Sequence, residues 1–514
     1  MSNISRASGL LLPVASLPSK FGIGDLGPES QKFVQLLAKC GQHYWSILPI
    51  SPTSLEAGNS PYQTSSAYAG NPLLISPEEL SKQSLLKKAT LKAAVIPQTS
   101  RINYCTVYPN KHYLLQEAYE CFKHTRPVLN VEQSFEAFCS ENCFWLDDYA
   151  LYNALRGKMG KSWIYWPPEL RNREPEALAI QKRQLSEEID FEKFVQYAFF
   201  SQWENLKRLC HKKQVQIVGD MPFYVAHDSA DVWVHQDLFS LKRDGERRFV
   251  GGVPPDYFSD DGQLWGNPVY DWRKNEKTGF DWWLKRVGYS LKVYDFLRLD
   301  HFRGFVAYWR VAASAKTAKK GKWVKAPYQK FFAKLKTCFP CLPFIAEDLG
   351  AIDDTVKKAI GFLGVPGMKV LLFGFNCSED NPHALCNHPV NSVVYTGTHD
   401  TNTIRGWFST EASFAQKANF FNQAGKKVTE AQAGFEMVKL ALKSKAKLCI
   451  IPIQDVLSLG EEARINVPSC AVGNWEWRIT SKQLRSKHFG ELEKATVEAG
   501  RAASRGLTIF EGIL

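Results

Sequence analysis

The sequence lacks several features that would place it in a specialised class of protein. It has no run of roughly 18 or more apolar residues, which a membrane-spanning helix needs. The apolar stretch near its N-terminus contains Pro13 and precedes no cleavage pattern, so we expect no signal peptide. Its 12 cysteines are scattered over 514 residues, which is too sparse for a disulfide-stapled secreted domain. We therefore expect a cytoplasmic protein that contacts no membrane.

Well-known metal-binding and catalytic signatures are also missing or incomplete. The pair Cys338 and Cys341 has no second CxxC to complete a zinc ribbon, and neither HExxH nor GxSxG occurs. A GxGxxG pattern spans residues 22–27, but the next predicted strand ends at Ile50 without the acidic residue that binds a nucleotide ribose. We expect no metal ion and no cofactor.

Acidic residues are fewer than basic ones, 52 against 64, which gives a net charge of +12. The densest basic segment, Lys316–Lys325, is accompanied by no zinc-finger, helix-turn-helix or RNA-recognition pattern. We interpret this segment as a solvated loop and expect no nucleic-acid partner. A salt-sensitive affinity for DNA or RNA would indicate the opposite.

What the sequence does have is an ordinary globular composition, with 45% hydrophobic residues, and a recurring strand pattern. Eight short aliphatic runs, several of them separated by helical patterns, predict parallel strands covered by helices on both faces. They are Ser8–Leu17, Tyr44–Ile50, Val215–Val225, Asp295–Phe302, Pro343–Leu349, Met368–Phe375, Val393–Asp400 and Leu448–Val456. Eight such strands predict an α/β fold, specifically a (β/α)₈ TIM barrel.

The predicted strands are unevenly spaced along the chain. We interpret residues 1–514 as a single catalytic barrel unit with two insertions. Residues from about 78 to 212 show helical patterns and predict an inserted, mainly helical subdomain. Residues from about 226 to 290 include a stretch rich in glycine, proline, aspartate and aromatic residues, which predicts a long substrate loop rather than regular structure.

Acidic residues fall at or near the C-terminal ends of five predicted strands. They are Asp220, Asp300, Glu347, Asp400 and Asp455. The C-terminal end of the strands is the catalytic face of a barrel, and acidic side chains are costly to bury there without a function. A metal site is one interpretation, but it usually shows denser aspartates or histidine at ligand spacing. The other is glycoside chemistry, which needs one ionised and one protonated carboxyl group.

The neighbours of two carboxyl groups favour glycoside chemistry. Arg298 lies two residues before Asp300, so both side chains point to one face of the strand, and the guanidinium favours an ionised nucleophile. Glu347 follows the apolar residues Phe344–Ala346, which favours a raised pKa and hence a general acid. Loop aromatics suited to stacking on sugar rings are Tyr62, Tyr68, Tyr257, Phe258, Trp265 and Trp272.

Motifs spread over nearly the whole chain carry a resemblance to a known family. The N-terminal half contains SGLLLPVASLPSKFGIGDLGP from Ser8, SPYQTSSAYAGNPLLI from Ser60 and VGDMPFYVAHDSADVW from Val218. The C-terminal half contains GVPPDYFSDDGQLWGNPVYDW, RLDHFRGF, IAEDLG, TGTHDTNT, RINVP and GNWEWR. In this order the motifs closely resemble those of the amylomaltases, the 4-α-glucanotransferase or disproportionating enzymes related to the α-amylase clan.

The resemblance implies a retaining transfer of α-1,4-glucan segments with no cofactor. At matching positions, Asp300 resembles the nucleophile, Glu347 the general acid/base and Asp400 the third carboxylate. The other matching positions resemble substrate-binding residues: Asp220, Arg298, His399, Tyr62, Asp256, Phe258, Gln263 and Trp265. The implied partners are α-1,4-glucans and malto-oligosaccharides, with glucose as an acceptor.

The chain departs from the family pattern at three positions, and two other functions remain open. His227 stands where an acidic residue is expected, Leu372 where glutamine is expected and Thr401 where asparagine is usual. A retaining α-glucan hydrolase would use the same carboxyl groups with water as acceptor, and a catalytically dead chain would only bind glucan. The sequence does not predict the oligomeric state, the preferred donor length or the acceptor.

Overall fold

The computed structural model describes residues 5–129, 133–255, 259–376, 378–468, 470 and 472–502. Its strands are β1 (Ala7–Leu11), β2 (Tyr44–Ser46), β3 (Gln216–Met221), β4 (Phe249–Val253), β5 (Gln263–Pro268), β6 (Phe296–Leu299), β7 (Ala307–Ala312), β8 (Gly321–Lys325), β9 (Phe344–Ala346), β10 (Gly367–Val370), β11 (Ser392–Tyr395) and β12 (Leu448–Pro452). Eight of them form a closed barrel in the order β1, β2, β3, β6, β9, β10, β11, β12. All pairings in the barrel are parallel, so the predicted (β/α)₈ fold is confirmed.

Each of the eight predicted runs overlaps a barrel strand, and each run extends past the C-terminal end of its strand. In the first run, β1 ends at Leu11, and Pro13 precedes a helical turn at Val14–Ser16. In the last run, β12 ends at Pro452 and a short helix takes over. The apolar pattern continues past the last strand hydrogen bond because the loops at this end of the barrel are themselves buried.

The helices cover the outside of the barrel and build the long insertion. They are α1 (Pro28–Lys39), α2 (Pro77–Lys82), α3 (Lys88–Ala93), α4 (Tyr104–Thr125), α5 (Phe135–Met159), α6 (Pro168–Arg171), α7 (Pro175–Gln184), α8 (Ser186–Lys212), α9 (Ala230–Val234), α10 (Trp272–Lys277), α11 (Asp281–Val293), α12 (Tyr328–Cys338), α13 (Asp354–Leu363), α14 (Ile404–Gly406), α15 (Phe414–Ala424), α16 (Glu430–Lys443), α17 (Ile453–Val456) and α18 (His488–Glu498). Helices α2 to α8 fall in the segment predicted to be helical. Its status as a separate subdomain stays a prediction.

The region from about 226 to 290 is more regular than expected. Strands β4 and β5 pair antiparallel, and β7 and β8 extend them into a four-stranded sheet of order β5, β4, β7, β8. Glycine in β4 conceals the strand in the sequence, but the packing requires it. A Cβ at Gly251 would lie 2.4 Å from the Tyr224 ring, and one at Gly252 would lie 2.2 Å from the Gln263 carbonyl oxygen.

The basic segment Lys316–Lys325 is likewise not all loop. Its second half is strand β8, which pairs with β7 along Gly321–Lys325.

Within the described residues, no helix is both long enough and apolar enough to cross a bilayer. Every cysteine in that part of the chain is a free thiol.

A buried ion pair anchors the helical insertion to the barrel. The Lys111 ammonium on α4 lies 3.5 Å from a carboxylate oxygen of Asp25, with side chains only 1% and 5% exposed. Lys111 also donates to the Ile75 carbonyl oxygen at 2.6 Å, and Asp25 accepts the backbone N–H of Gly27, next to the start of α1. Burial raises the pKa of Asp25 and lowers that of Lys111, while the opposite charge of each partner offsets this.

Replacing Lys111 with methionine should therefore destabilise the fold strongly. Lys111→Met leaves the Asp25 carboxyl group buried without its cation, which lowers the free energy of unfolding by about 3 kcal/mol. Denaturant unfolding followed by tryptophan fluorescence measures the change. Lys82→Met is the matched control, because Lys82 is exposed in an i,i+3 pair with Glu79 and its removal costs at most about 0.5 kcal/mol. Equal stability of the two variants would contradict this account.

Candidate active site

The C-terminal ends of four barrel strands bring the predicted acidic residues together. Asp220 lies on β3, while Asp300, Glu347 and Asp400 follow β6, β9 and β11. The strands β3, β6 and β9 are consecutive neighbours in the barrel, so the first three of these side chains start from adjacent strand ends. This is the face at which barrel enzymes bind their substrates.

Arg298 joins two of these carboxyl groups. A single guanidinium nitrogen lies 2.9 and 2.8 Å from the two carboxylate oxygens of Asp220 and 3.0 Å from an oxygen of Asp300. The Arg298 and Asp220 side chains are 10% and 2% exposed, whereas Asp300 is 26% exposed. Asp300 is therefore the member of this group that remains open to a substrate.

Glu347 is held by backbone N–H groups rather than by a cation. His301 and Leu349 donate their backbone N–H groups to its two oxygens at 2.7 and 2.9 Å. His301 has φ +47°, the left-handed conformation that directs its N–H toward Glu347. Burial raises the pKa of Glu347 to about 7, and the negative charge of Asp300 adds to this, while Arg298 opposes it. Glu347 is thus protonated in a large fraction of molecules near neutral pH.

The surroundings of Asp400 lower its pKa, whereas those of Glu347 raise the pKa of that residue. His399, 3.3 Å away, and the Asn466 amide, 2.6 Å away, hold the pKa of Asp400 well below its usual range. Burial would lower the pKa of His399, yet Asp400 raises it. Arg464 donates to the Asp400 backbone carbonyl at 3.0 Å, which fixes the loop that carries the carboxylate.

Tyr62 links these groups across the mouth of the barrel. Its hydroxyl donates to Asp220 at 2.7 Å and lies 2.9 Å from the Nε2 atom of His399. Its ring stacks on the His399 imidazole with centroids 5.3 Å apart, and Trp475 packs against both rings. The predicted residues Tyr62, Asp220 and His399 therefore form one hydrogen-bonded group.

The predicted loop residues are partly within the described chain. Gln263 and Trp265 lie on β5, where the Trp265 indole N–H donates to the Gln263 amide oxygen at 3.1 Å. The edge of Trp265 meets the His301 ring at 4.8 Å, which brings β5 against the loop that holds Glu347. Asp256, Tyr257 and Phe258 lie outside the described residues.

Comparisons with known proteins identify relatives of this chain. The family model described as 4-alpha-glucanotransferase matches residues 12–484. The 4-alpha-glucanotransferase of Aquifex aeolicus is 46% identical over 484 residues, which are 94% of this chain and 97% of that protein. The protein of the same name from Thermus thermophilus is 42% identical over 504 residues, 96% and 99% of the two chains. Amylomaltase from Streptococcus agalactiae, solved in complex with acarbose, superposes with a TM-score of 0.92 at 36% identity, covering 97% and 100%.

This chain belongs to the 4-alpha-glucanotransferase family. The activity of the enzyme is therefore 4-alpha-glucanotransfer, which confirms the resemblance found in the sequence. The alternatives of a glucan hydrolase and a catalytically dead binding protein are set aside, because the relatives that match nearly the whole chain are named as transferases.

The three departures from the family pattern each have a place in the structure. His227 bonds the Gly245 carbonyl oxygen through Nε2 at 2.9 Å. The Leu372 side chain is buried in the core. The Thr401 hydroxyl accepts the Thr398 backbone N–H at 3.0 Å and tightens the turn that carries Asp400. Each side chain has a structural role outside the contacts among the carboxyl groups.

Two predicted residues have structural roles, and sequence reasoning missed others. Asp455 lies near the C-terminal end of β12, as predicted, but within the short helix α17, and its carboxylate accepts hydrogen bonds from the Thr396 hydroxyl at 2.6 Å and the Ile404 N–H at 2.9 Å. Of the predicted loop aromatics, Trp272 is instead packed in the core, stacked on a neighbouring tryptophan. Asn466 and Trp475 were missed as individual residues, although the motifs RINVP and GNWEWR contain them and were the available signal.

Asn466 should be important for activity because it is the amide that bonds Asp400. A hydrogen bond to a charged group contributes about 1.5–3 kcal/mol, so Asn466→Ala should lower kcat/KM about 10- to 100-fold. Initial rates with maltotriose measure the change. The control is Asn110→Ala, which removes an amide that bonds the Ala94 carbonyl within the helical insertion. Unchanged kcat/KM in Asn466→Ala would show that this hydrogen bond does not support the reaction.

Proposed function

We propose that the enzyme transfers α-1,4-glucan segments by a retaining double displacement in which Asp300 is the nucleophile and Glu347 the general acid/base. The observation that carries this assignment is the contrast between the two groups. Asp300 is accessible and lies against the Arg298 guanidinium, whereas burial raises the pKa of Glu347 to about 7. Retaining glycoside chemistry needs one carboxylate that can reach the sugar and a second carboxyl group that can give up a proton.

In the first step, a carboxylate oxygen of Asp300 attacks the anomeric carbon of the donor glucan. The bond from that carbon to the glycosidic oxygen breaks as Glu347 gives its proton to the oxygen, which leaves as the 4-hydroxyl of the released sugar. A covalent glycosyl-enzyme and the Glu347 carboxylate result. Asp400, held ionised by His399 and Asn466, bonds the substrate hydroxyls and stabilises the positive charge that develops on the sugar ring.

In the second step, Glu347 acts as a base. It takes the proton of an acceptor 4-hydroxyl, whose oxygen attacks the anomeric carbon and displaces Asp300. The product keeps the α configuration, and both side chains return to their starting states. Malto-oligosaccharides serve as donors and glucose or a glucan as acceptor. The mechanism calls for no metal ion or cofactor.

Transfer outcompetes hydrolysis if the acceptor sugar is oriented and water is held off. The β4–β5 and β7–β8 hairpins are suited to this role because they are fastened to each other. The Lys319 ammonium on the β7–β8 hairpin lies 2.7 Å from Asp261, and the Ala318 N–H donates to the Asp261 carbonyl at 3.0 Å. This proposal includes substrate-binding roles for Tyr62, Asp256, Phe258, Gln263 and Trp265.

The cytoplasmic location of the enzyme stays a prediction.

The assignment of Asp300 as the nucleophile is tested by replacing it with asparagine. Asp300→Asn removes the nucleophile but keeps the shape of the side chain, so turnover of maltotriose should fall by more than about 10⁴-fold with the fold intact. The wild-type enzyme, without metal or nucleotide, should yield glucose and a ladder of longer oligosaccharides. The matched control is Asp354→Asn, a change at an exposed residue. Near-normal turnover by Asp300→Asn would overturn the assignment.

The pH dependence tests the role of Glu347. Its raised pKa means that the protonated, catalytically competent acid is lost as pH rises through about 7, so kcat/KM should fall about tenfold per unit above that value. A maltosyl fluoride donor isolates this effect, since fluoride leaves without protonation and its cleavage should lack the alkaline fall. An alkaline fall of equal size with both donors would contradict the general-acid role.

A further inference from the structure

The two backbone N–H groups that hold Glu347 come from different loops. His301 lies in the loop that follows β6, whereas Leu349 lies in the loop that joins β9 to α13. One backbone hydrogen bond, from the Phe302 N–H to the Glu347 carbonyl oxygen at 3.2 Å, connects the loops beside Glu347 itself. Leu349 lies beyond that bond, so another contact has to keep its N–H at the Glu347 carboxyl group.

The loop between β9 and α13 is described throughout and contains no helix or strand. Its first part is fixed, because the Asp348 carboxylate accepts the Met368 N–H at 2.6 Å. Its second part is exposed at Gly350 and Ala351, and Gly350 has φ +79°, a left-handed conformation that favours glycine. The Leu349 N–H lies between the two parts, so its position depends on what holds the second part.

The side chain of Arg303 reaches this second part from the other loop. Arg303 lies two residues after His301, and one of its guanidinium nitrogens donates to the Ala351 carbonyl oxygen. The same nitrogen lies 3.1 Å from a carboxylate oxygen of Asp353, which in turn accepts two backbone N–H groups from the first turn of α13. One guanidinium therefore connects the two loops that supply N–H groups to Glu347.

The Arg303 guanidinium lies on a tryptophan of the second sheet. Its central carbon is 3.8 Å from the centroid of the Trp323 ring on β8, and the Arg303 side chain is only 11% exposed. Trp323 in turn packs against the Trp309 ring on β7, with centroids 5.3 Å apart. A planar guanidinium stacked on an aromatic ring has little freedom to turn, so its nitrogen stays directed at the loop.

We propose that Arg303 is a positioning residue for the general acid/base: it ties together the two loops whose N–H groups hold Glu347, and so keeps that carboxyl group directed at the glycosidic oxygen. The inference rests on the proposed function, since it takes Glu347 as the proton donor. Arg303 bonds Ala351 and Asp353 rather than a catalytic carboxyl group, so it acts through Glu347. A small displacement of a catalytic group slows proton transfer much more than it weakens donor binding.

The test compares a donor that needs the acid with one that does not. Arg303→Met removes the guanidinium and keeps an unbranched side chain that can pack on Trp323. With maltotriose, kcat should fall about tenfold or more while KM stays within about twofold. With maltosyl fluoride, whose fluoride leaves without protonation, kcat/KM measured by fluoride release should stay within about threefold of wild type. A general disturbance of the fold would slow both donors alike.

Two further variants complete the test. Trp323→Leu removes the ring on which the guanidinium lies, and it should slow maltotriose turnover about threefold or more without slowing fluoride release. It also serves if Arg303→Met does not fold. Arg173→Met is the matched control, because Arg173 likewise pairs with an aspartate, at 2.7 Å, and lies 4.3 Å from the centroid of a tryptophan ring, but in the helical insertion. Arg173→Met should slow neither donor.

Glu347→Gln separates this inference from the proposed function. It should lower kcat with maltotriose about 100-fold or more and spare fluoride release. If Glu347→Gln slows both donors alike, Glu347 is not the general acid and the inference falls with that assignment. If Glu347→Gln distinguishes the donors and neither Arg303→Met nor Trp323→Leu does, the role of Arg303 is overturned while the proposed function stands.

Discussion

The buried guanidinium of Arg298 is the constraint on which the active site depends. Asp220 is almost completely removed from solvent, and a carboxylate in such a place is tolerated only beside a cation or strong donors. Arg298 satisfies Asp220 with the same nitrogen that reaches Asp300. The geometry of β3 and β6 is therefore tied to the position of Asp300, and the Tyr62 hydroxyl extends this group to His399.

The same barrel end holds two carboxyl groups whose pKa values are moved in opposite directions. Glu347 receives two backbone N–H groups, but burial and the nearby Asp300 dominate, and its pKa rises to about 7. Asp400 has a histidine and an asparagine amide beside it, and these hold its pKa below the usual range. Side chains of one chemical type thus acquire different protonation states from the loops that surround them, so the local backbone matters as much as the residues themselves.

A second sheet, outside the barrel, also contacts the active site. The sheet of β5, β4, β7 and β8 brings Trp265 against His301, the residue whose N–H bonds Glu347. This sheet was not predicted, because β4 and β5 lie in a stretch rich in glycine, proline and polar residues and β8 lies in the basic segment Lys316–Lys325. Its central pairing, of β4 with β7, joins segments about 60 residues apart in sequence and is decided by cross-strand contacts.

The sequence by itself determined the barrel, its eight strands and the identity of the carboxyl groups at its mouth, because apolar periodicity and motifs are local properties of the chain. Only the tertiary structure decided which of these residues touch. It showed that the Asp455 carboxylate accepts hydrogen bonds from the Thr396 hydroxyl and the Ile404 N–H. It brought Asn466 to Asp400 and joined Arg303 to the loop that follows Glu347. These contacts join residues that are far apart in sequence, and they depend on packing that no local pattern records.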